Sequence, residues 1–136
     1  MLRPDEDHGN GITPKDINST TSINDHVAYG SSSFQKSKYI SCTKSEEKVF
    51  EFASIIRRKE RHLKRTIIKI DKSKLGCNVD IVDLTDTSNH VLLVDAIAKK
   101  RALRFAEVLL VPEVHIPAES ITAIAHIQNG SITHYS

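Results

Sequence analysis

Aromatic residues are scarce in this chain of 136 residues, which has four phenylalanines, three tyrosines and no tryptophan. Valine, isoleucine, leucine and alanine must therefore fill the hydrophobic core, and the length suits one domain over residues 1–136. No apolar run approaches the roughly 20 residues that a membrane-spanning helix needs. The N-terminus also lacks the charged and then apolar pattern of a secretory signal, and the sequence leaves open whether the chain is part of a larger protein.

Cysteine and net charge are also low. The two cysteines, Cys42 and Cys77, lack the spacing of a metal-binding motif and are too few for a disulfide scaffold. The sequence leaves open whether they pair. The net charge of +2 excludes a strong overall attraction to polyanions, so nucleic acid is not an expected partner.

Hydrophobic periodicity predicts an α+β domain with two longer helices. The first helix is predicted over residues 44–64, where Thr43 and Glu46 match a capping box. Its apolar stripe comprises Val49, Phe52, Ala53 and Ile56. The second helix is predicted to begin at Thr87 or Ser88 and to end at residues 99–101.

Short β-branched runs predict about six strands between and after these helices. Residues 1–35 are polar and predict loops with short helical or extended pieces. The Asn129-Gly130 dipeptide predicts a type I′ turn and a hairpin at the C-terminus. The other strands are predicted at 38–43, 66–70, 79–84, 103–111 and 121–127.

Two stretches carry the residues that suggest chemistry. Ser41, Cys42 and Thr43 place small polar side chains at a junction from a strand to a helix, where a pocket can form. Glu107 is an acid within an apolar strand, and an unpaired carboxylate there costs several kcal/mol. An outward-facing acid on a half-buried strand remains an alternative for Glu107.

Other motifs occur in the same order along the chain. Leu2-Arg3-Pro4-Asp5 opens it, Gly11-Ile12-x-Pro14 forms a turn, and Asp25-His26-Val27-Ala28-Tyr29-Gly30 precedes Tyr39-Ile40-Ser41-Cys42-Thr43. Glu107 is followed by Ile116-Pro117, and the sequence His126-x-x-Asn129-Gly130 comes near the end. In this order the motifs resemble those of the mono-ADP-ribosyltransferase toxins of the cholera, heat-labile enterotoxin and pertussis type, the Arg-Ser-Glu class.

The resemblance implies a fold and an activity. The fold would be ADP-ribosyltransferase-like, with mixed or antiparallel split sheets around an NAD cleft and two main helices. The activity would be transfer of ADP-ribose from NAD to a side chain of a target protein, with release of nicotinamide and no need for a metal. The Rossmann glycine fingerprint is absent, which is consistent with NAD as a substrate and not a hydride carrier.

The resemblance also implies roles for individual residues. Glu107 would stabilise the ribosyl cation, and Arg3 would bind phosphate or ribose oxygens of NAD. Ser41 would orient Glu107 and the ribose, Thr43 would support the loop, and Asp5 would complete the first motif. For His26 two roles stay open, a ribose or adenine contact and a structural histidine.

The sequence departs from the family pattern at three places. Cys42 replaces the middle threonine of the family motif, and the segment between Glu107 and Ile116 is somewhat longer. Phe105 stands two residues before Glu107, where arginine-modifying members carry Glu or Gln. Residues two apart on an extended strand face the same way, so Phe105 is expected to face the cleft and select an acceptor other than arginine. In the alternative, Phe105 packs into the core and an acid such as Glu113 holds the guanidinium.

Other functions are compatible with parts of the same sequence. NAD glycohydrolysis uses the same chemistry with water as the acceptor, and a degenerate member would bind a protein without catalysis. A different class is a small binding module that uses the basic run of residues 57–65 to bind RNA or an acidic protein. If the protein is a toxin or effector, we expect it to be secreted or delivered into the cytoplasm of a target cell.

Overall fold

Helices and strands are interspersed in the computed structural model, which describes residues 2–4, 11–29, 37–54 and 62–135. These described residues form three α-helices, namely α1 (Ile23–Tyr29), α2 (Glu46–Ser54) and α3 (Ala96–Arg104). They also form seven strands, namely β1 (Leu2–Pro4), β2 (Ile40–Thr43), β3 (Arg65–Ile70), β4 (Val79–Asp83), β5 (Glu107–Pro112), β6 (Ile121–Gln128) and β7 (Ser131–His134). Short 3₁₀ turns lie at Lys72–Lys74, Thr87–Leu92 and Ala118–Ser120. The predicted α+β class is confirmed.

The strands form two separate antiparallel sheets. One sheet has the order β1-β3-β6-β7, and the other has the order β2-β5-β4. Because β2 and β5 are neighbours, residues that are more than 60 positions apart in sequence face each other, with Thr43 opposite Glu107. The split into two sheets agrees with the expectation from the sequence.

Three apolar clusters form the core. The first joins the facing surfaces of the two sheets and includes Ile40, Leu110 and Ile68. The second packs α1 and α3 on the other face of the three-stranded sheet, around Leu109. The third packs α2 on the four-stranded sheet, around Ile67. The alternation of Ile67 and Ile68 between two clusters follows from the two-residue repeat of a strand.

Backbone positions with positive φ lie in both segments that the sequence predicts as glycine turns. Asn129 and Gly130 have φ values of 52° and 79°, and β6 and β7 pair on either side of them, as a type I′ hairpin requires. Gly11 has a φ of 84°, and a Cβ there would lie 2.1 Å from the carbonyl oxygen of Ile116. Only glycine allows this approach, which places Ile12 in a β-bridge with Ile116.

The first predicted helix differs from the observed one at both ends. Helix α2 begins at Glu46, and the Oγ of Ser45 accepts a hydrogen bond from the Lys48 amide at 3.3 Å. Ser45 is therefore the N-cap, and the prediction that Thr43 caps the helix is wrong. Residues 62–64 form a turn that leads into β3, so the predicted end at 64 is also wrong. Residues 55–61, with Ile56 and most of the basic run, lie outside the described residues.

The second predicted helix is interrupted. A 3₁₀ turn ends at Leu92, and α3 begins at Ala96. The Asn24 Oδ1 accepts hydrogen bonds from the amides of Val94 and Asp95, at 2.8 and 2.9 Å. These bonds favour an extended segment, because they satisfy donors that a continuous helix would bond internally. Val94 is consequently 77% exposed, although its spacing predicts a place on the buried stripe.

The strand predicted over 103–111 begins later. Helix α3 continues to Arg104, and Phe105 caps its C-terminal end with its amide bonded to the Arg101 carbonyl. Ala106 has a φ of 48°, and β5 starts at Glu107. Helix propensity of the Lys-Lys-Arg-Ala-Leu-Arg run extends the helix through residues that also suit a strand. Phe105 and Glu107 therefore do not alternate on one extended strand.

Candidate active site

Ser41 and Glu107 lie on adjacent strands and share one face of the three-stranded sheet. In the β2–β5 register, Ser41 is opposite Leu109 and Thr43 is opposite Glu107. Side chains two apart on a strand point to the same face, so these four residues form one surface. Leu109 belongs to the cluster under α1 and α3, which identifies the face as the one that those helices partly cover.

Glu107 is the buried acid at the centre of this surface. Only 9% of it is exposed, and it shares the face of the sheet with Ser41 on the neighbouring strand. Burial raises the pKa of Glu107 above its ordinary value, while the Ser41 hydrogen bond and the positive charge of Arg101 act against that rise. Sequence reasoning treated Arg101 only as a helix end, because its proximity to Glu107 depends on how α3 packs.

His26 connects helix α1 to Ser41. The Nε2 atom of His26 is 2.6 Å from the Ser41 Oγ, and its Nδ1 atom is 2.5 Å from the Oγ of Ser37. The His26 and Tyr39 ring centroids are 5.6 Å apart. Burial, with a contribution from the charge of Lys15, lowers the pKa of His26 from 6.5 to about 4. His26 is therefore neutral near pH 7, and each of its ring nitrogens has a hydroxyl partner.

Three residues thus form a continuous hydrogen-bonded chain, namely Ser37, His26 and Ser41, and Glu107 shares the face of the sheet with Ser41. Glu107 is buried, while Ser41 is exposed and can meet a ligand from solvent. A fixed carboxylate beside an accessible hydroxyl is suited to stabilising a positive charge that develops on a bound molecule.

The remaining predicted residues differ in how much of them the structure describes. Arg3 lies on β1 opposite Thr66, in the sheet that does not contain Ser41, and its side chain lies outside the described residues. Asp5 also lies outside them. Helix α2 contacts both β1 and β2, so it joins the strand of Arg3 to the strand of Ser41.

Thr43 supports the junction between β2 and α2. Its Oγ1 accepts a hydrogen bond from the Ser45 amide at 3.1 Å, which fixes the turn before the helix. The same residue faces Glu107 across the two strands. Cys42 points to the opposite face and packs against the cluster between the sheets, and no disulfide joins Cys42 to Cys77.

Phe105 lies at the surface between α3 and α2. Its ring meets the ring of Phe52 edge to face, with centroids 5.2 Å apart, and the Arg104 guanidinium lies 4.9 Å from its centroid. Phe52 is 44% exposed, so this aromatic pair is not part of the core. Glu113, the alternative partner for a guanidinium, follows the far end of β5, about 20 Å from Glu107 along an extended strand.

A separate cleft of about 400 Å³ lies between the two sheets. Its walls are mainly apolar and include Val49, Ile68 and Leu110, and Lys44 and Lys72 also line it. Ser41, His26 and Glu107 do not line this cleft, whereas Thr43, the last residue of β2, does. The candidate active site is therefore on the helix-covered face of the sheet.

Sequence reasoning missed Ser37 and Asn24. Ser37 lies between two lysines in a polar segment without periodicity, so no local signal marks its burial. Asn24 is buried as well, and its amide nitrogen donates to Asp95 at 3.0 Å and to Asp25 at 3.3 Å. A buried amide that joins residues about 70 positions apart in sequence has no signature in a single sequence.

Comparisons with known proteins add no family assignment. No family model, no curated protein and no solved structure matches the chain. Within the described residues, no group of three or more His, Cys, Asp or Glu side chains is placed to hold a metal ion. Among the same residues, no helix combines the length and the apolar character that crossing a membrane requires.

The lowered pKa of His26 predicts a loss of stability in mild acid. Between about pH 6.5 and about pH 4 the unfolded state binds a proton that the folded state excludes, so falling pH favours unfolding. The contribution is complete above pH 6.5, and up to about 3 kcal/mol of it is lost by pH 4. The measurement is urea unfolding of the wild type and of His26→Gln at several pH values. Equal pH dependence in both proteins would contradict the prediction.

Proposed function

We propose that the protein is an NAD-consuming mono-ADP-ribosyltransferase, a toxin or effector with an ADP-ribosyltransferase-like fold. The observation that carries the proposal is the placement of Ser41 and the buried Glu107 on one face of neighbouring antiparallel strands, with His26 hydrogen-bonded to Ser41. The motif resemblance pairs the same serine and glutamate from sequence alone. The α+β class with two antiparallel sheets is consistent with the proposal, but Ser41 and Glu107 lie outside the cleft between the sheets, which is where the resemblance places NAD.

The proposed reaction needs a fixed negative charge more than it needs a proton donor. The bond between the ribose C1′ and the nicotinamide nitrogen breaks, and its electron pair leaves with neutral nicotinamide. The ribose gains oxocarbenium character, which the Glu107 carboxylate stabilises while it holds a ribose hydroxyl. A lone pair of the acceptor then forms the new bond to C1′, and the acceptor's proton passes to solvent. Arg3 is proposed to bind the diphosphate of NAD, and Asp5, His26 and Thr43 to complete the NAD site.

The direct test combines nicotinamide release with identification of the acceptor. The purified chain is incubated with labelled NAD, first alone and then with a lysate of candidate target cells. We expect nicotinamide release in both cases and a labelled protein only with lysate, which mass spectrometry identifies. Release without any labelled protein would favour the alternative of an NAD glycohydrolase. Absence of release under both conditions would contradict both activities and favour a binding module for RNA or an acidic protein.

Phe105 predicts that the acceptor is not arginine. Its ring packs edge to face on Phe52, so, contrary to the prediction from the sequence, it does not face the site from the same strand as Glu107. The proposal therefore rests on the absence, two residues before Glu107, of a Glu or Gln that could form the paired hydrogen bonds that a guanidinium prefers. A hydroxyl, thiol, amide or acidic side chain, or a nucleobase, is the proposed acceptor. Agmatine, a free guanidinium acceptor, should therefore barely raise nicotinamide release by the wild type, and Phe105→Glu should increase its use.

The control for this prediction is Val114→Glu. Val114 is exposed and lies beyond the far end of β5, so the substitution adds the same charge away from Glu107. Rapid, saturable modification of agmatine by the wild type would refute the prediction, as would an arginine identified as the modified residue in the native target.

A further inference from the structure

Ser37 is a buried hydroxyl that the chain holds firmly just before β2. It is 4% exposed, and its Oγ accepts a hydrogen bond from the Tyr39 amide at 3.3 Å. Its carbonyl oxygen accepts another from the Asp16 amide at 3.1 Å. These bonds fix the Ser37 backbone and aim its Oγ at the Nδ1 of His26, 2.5 Å away.

Counting hydrogens gives the direction of the two hydrogen bonds that His26 makes. The Ser37 Oγ already accepts from the Tyr39 amide, and its nearest acceptor is the His26 Nδ1, so Ser37 donates to Nδ1. The neutral imidazole then carries its proton on Nε2 and donates it to the Ser41 Oγ, 2.6 Å away. The Ser41 hydrogen can then point towards Glu107 on the neighbouring strand, whose pKa the Ser41 hydroxyl acts to lower.

The competing acceptor for the Ser37 hydrogen is much less favourable. The carbonyl oxygen of Tyr39 lies 3.5 Å from the Ser37 Oγ, at the limit of a hydrogen bond, whereas Nδ1 lies at 2.5 Å. No charged partner is needed at Nδ1, because His26 is neutral near pH 7. Ser37 thus favours one of the two imidazole tautomers.

We propose that Ser37 is a positioning residue that locks His26 in its Nε2–H tautomer and so keeps the Ser41 hydroxyl directed at Glu107. In the other tautomer, Nε2 would accept from Ser41, and the Ser41 hydrogen would turn away from Glu107. The buried carboxylate would then lose its hydrogen-bond donor, which is unfavourable for an ionised group. The consequence for catalysis rests on the proposed function, while the tautomer of His26 does not.

The experiment compares Ser37→Ala, Ser37→Thr and Ser120→Ala in the full chain. Ser37→Ala removes the donor to Nδ1, and Ser37→Thr keeps a hydroxyl. Ser120→Ala is the matched control, because Ser120 is equally buried but donates to the Pro117 carbonyl at 2.6 Å, away from His26. Heteronuclear NMR of the imidazole nitrogens reports the tautomer, with the His26 signals assigned from a His26→Gln sample.

The expected results separate the tautomer from the activity. The wild type, Ser37→Thr and Ser120→Ala should show a protonated Nε2 and an unprotonated Nδ1, and Ser37→Ala should show a mixture. Nicotinamide release by Ser37→Ala should fall about 10-fold or more in kcat, with little change in the KM for NAD.

Two outcomes would overturn the proposal. A protonated Nδ1 in the wild type would refute it, and this measurement needs no variant to fold. A pure Nε2–H tautomer in folded Ser37→Ala would refute it too. If the wild type released no nicotinamide but the tautomers were as expected, the proposed function would be wrong, and the role of Ser37 in fixing the His26 tautomer would be confirmed.

Discussion

Glu107→Gln is expected to slow nicotinamide release by about 10²–10³-fold, the typical cost of losing one preorganised charge at a developing transition state. Glutamine keeps the size of the side chain and can accept the Ser41 hydrogen bond, but it has no negative charge. The loss should therefore appear in kcat, with a smaller effect on NAD binding. The measurement is steady-state release of nicotinamide from labelled NAD.

The same substitution should improve stability at neutral pH. Burial raises the pKa of Glu107 in the folded state, so above its ordinary value of 4.5 the folded state binds more protons than the unfolded state. The free energy of unfolding attributable to this group therefore falls as pH rises through the raised pKa. Glu107→Gln cannot ionise, so its stability relative to the wild type should be greater at pH 7 than at pH 4.

A control acid is needed to interpret both results. Glu119 is exposed and precedes β6, so Glu119→Gln should change neither nicotinamide release nor the pH dependence. Turnover of Glu107→Gln within about threefold of the wild type would end the assignment of this carboxylate. Equal stability differences at pH 4 and pH 7 would contradict the raised pKa.

Asn24→Leu is expected to reduce the free energy of unfolding by about 2–4 kcal/mol. The Asn24 carbonyl oxygen accepts from the amides of Val94 and Asp95, and its amide nitrogen donates to the Asp95 carboxylate. Leucine has a similar volume but leaves these partners without their bonds. A total stability of about 5–15 kcal/mol is typical for a domain, so the loss would be a large share.

The measurement for Asn24→Leu is urea unfolding followed by circular dichroism. Asn78→Ala, at an exposed asparagine, is the control and should stay within about 0.5 kcal/mol of the wild type. Helix α1 also carries His26, so weaker docking of α1 on α3 should loosen the His26–Ser41 contact and lower activity. A variant as stable as the wild type would contradict the prediction, because it would mean that the Val94 and Asp95 amides form equally favourable hydrogen bonds with water.

Much of the fold follows from local sequence patterns. The β-branched runs gave most of the strands within a few residues, and Asn129-Gly130 specified the hairpin because both residues tolerate a positive φ. The helix boundaries were predicted less well. At residues 93–95 the hydrogen bonds that the backbone donates to Asn24 override helical periodicity, and no local pattern encodes a partner about 70 residues away.

For the candidate site, too, part follows from the sequence and part only from the tertiary structure. The sequence by itself singled out Ser41 and Glu107, since a small polar run at a strand end and an acid in an apolar strand are visible in the residue order, and the motif resemblance added His26. Only the tertiary structure brought them together, because β2 and β5 are neighbours in a sheet although far apart in sequence. Burial of Glu107, the low pKa of His26 and the role of Ser37 arise from that packing, since desolvation and hydrogen-bond direction depend on which groups surround a side chain.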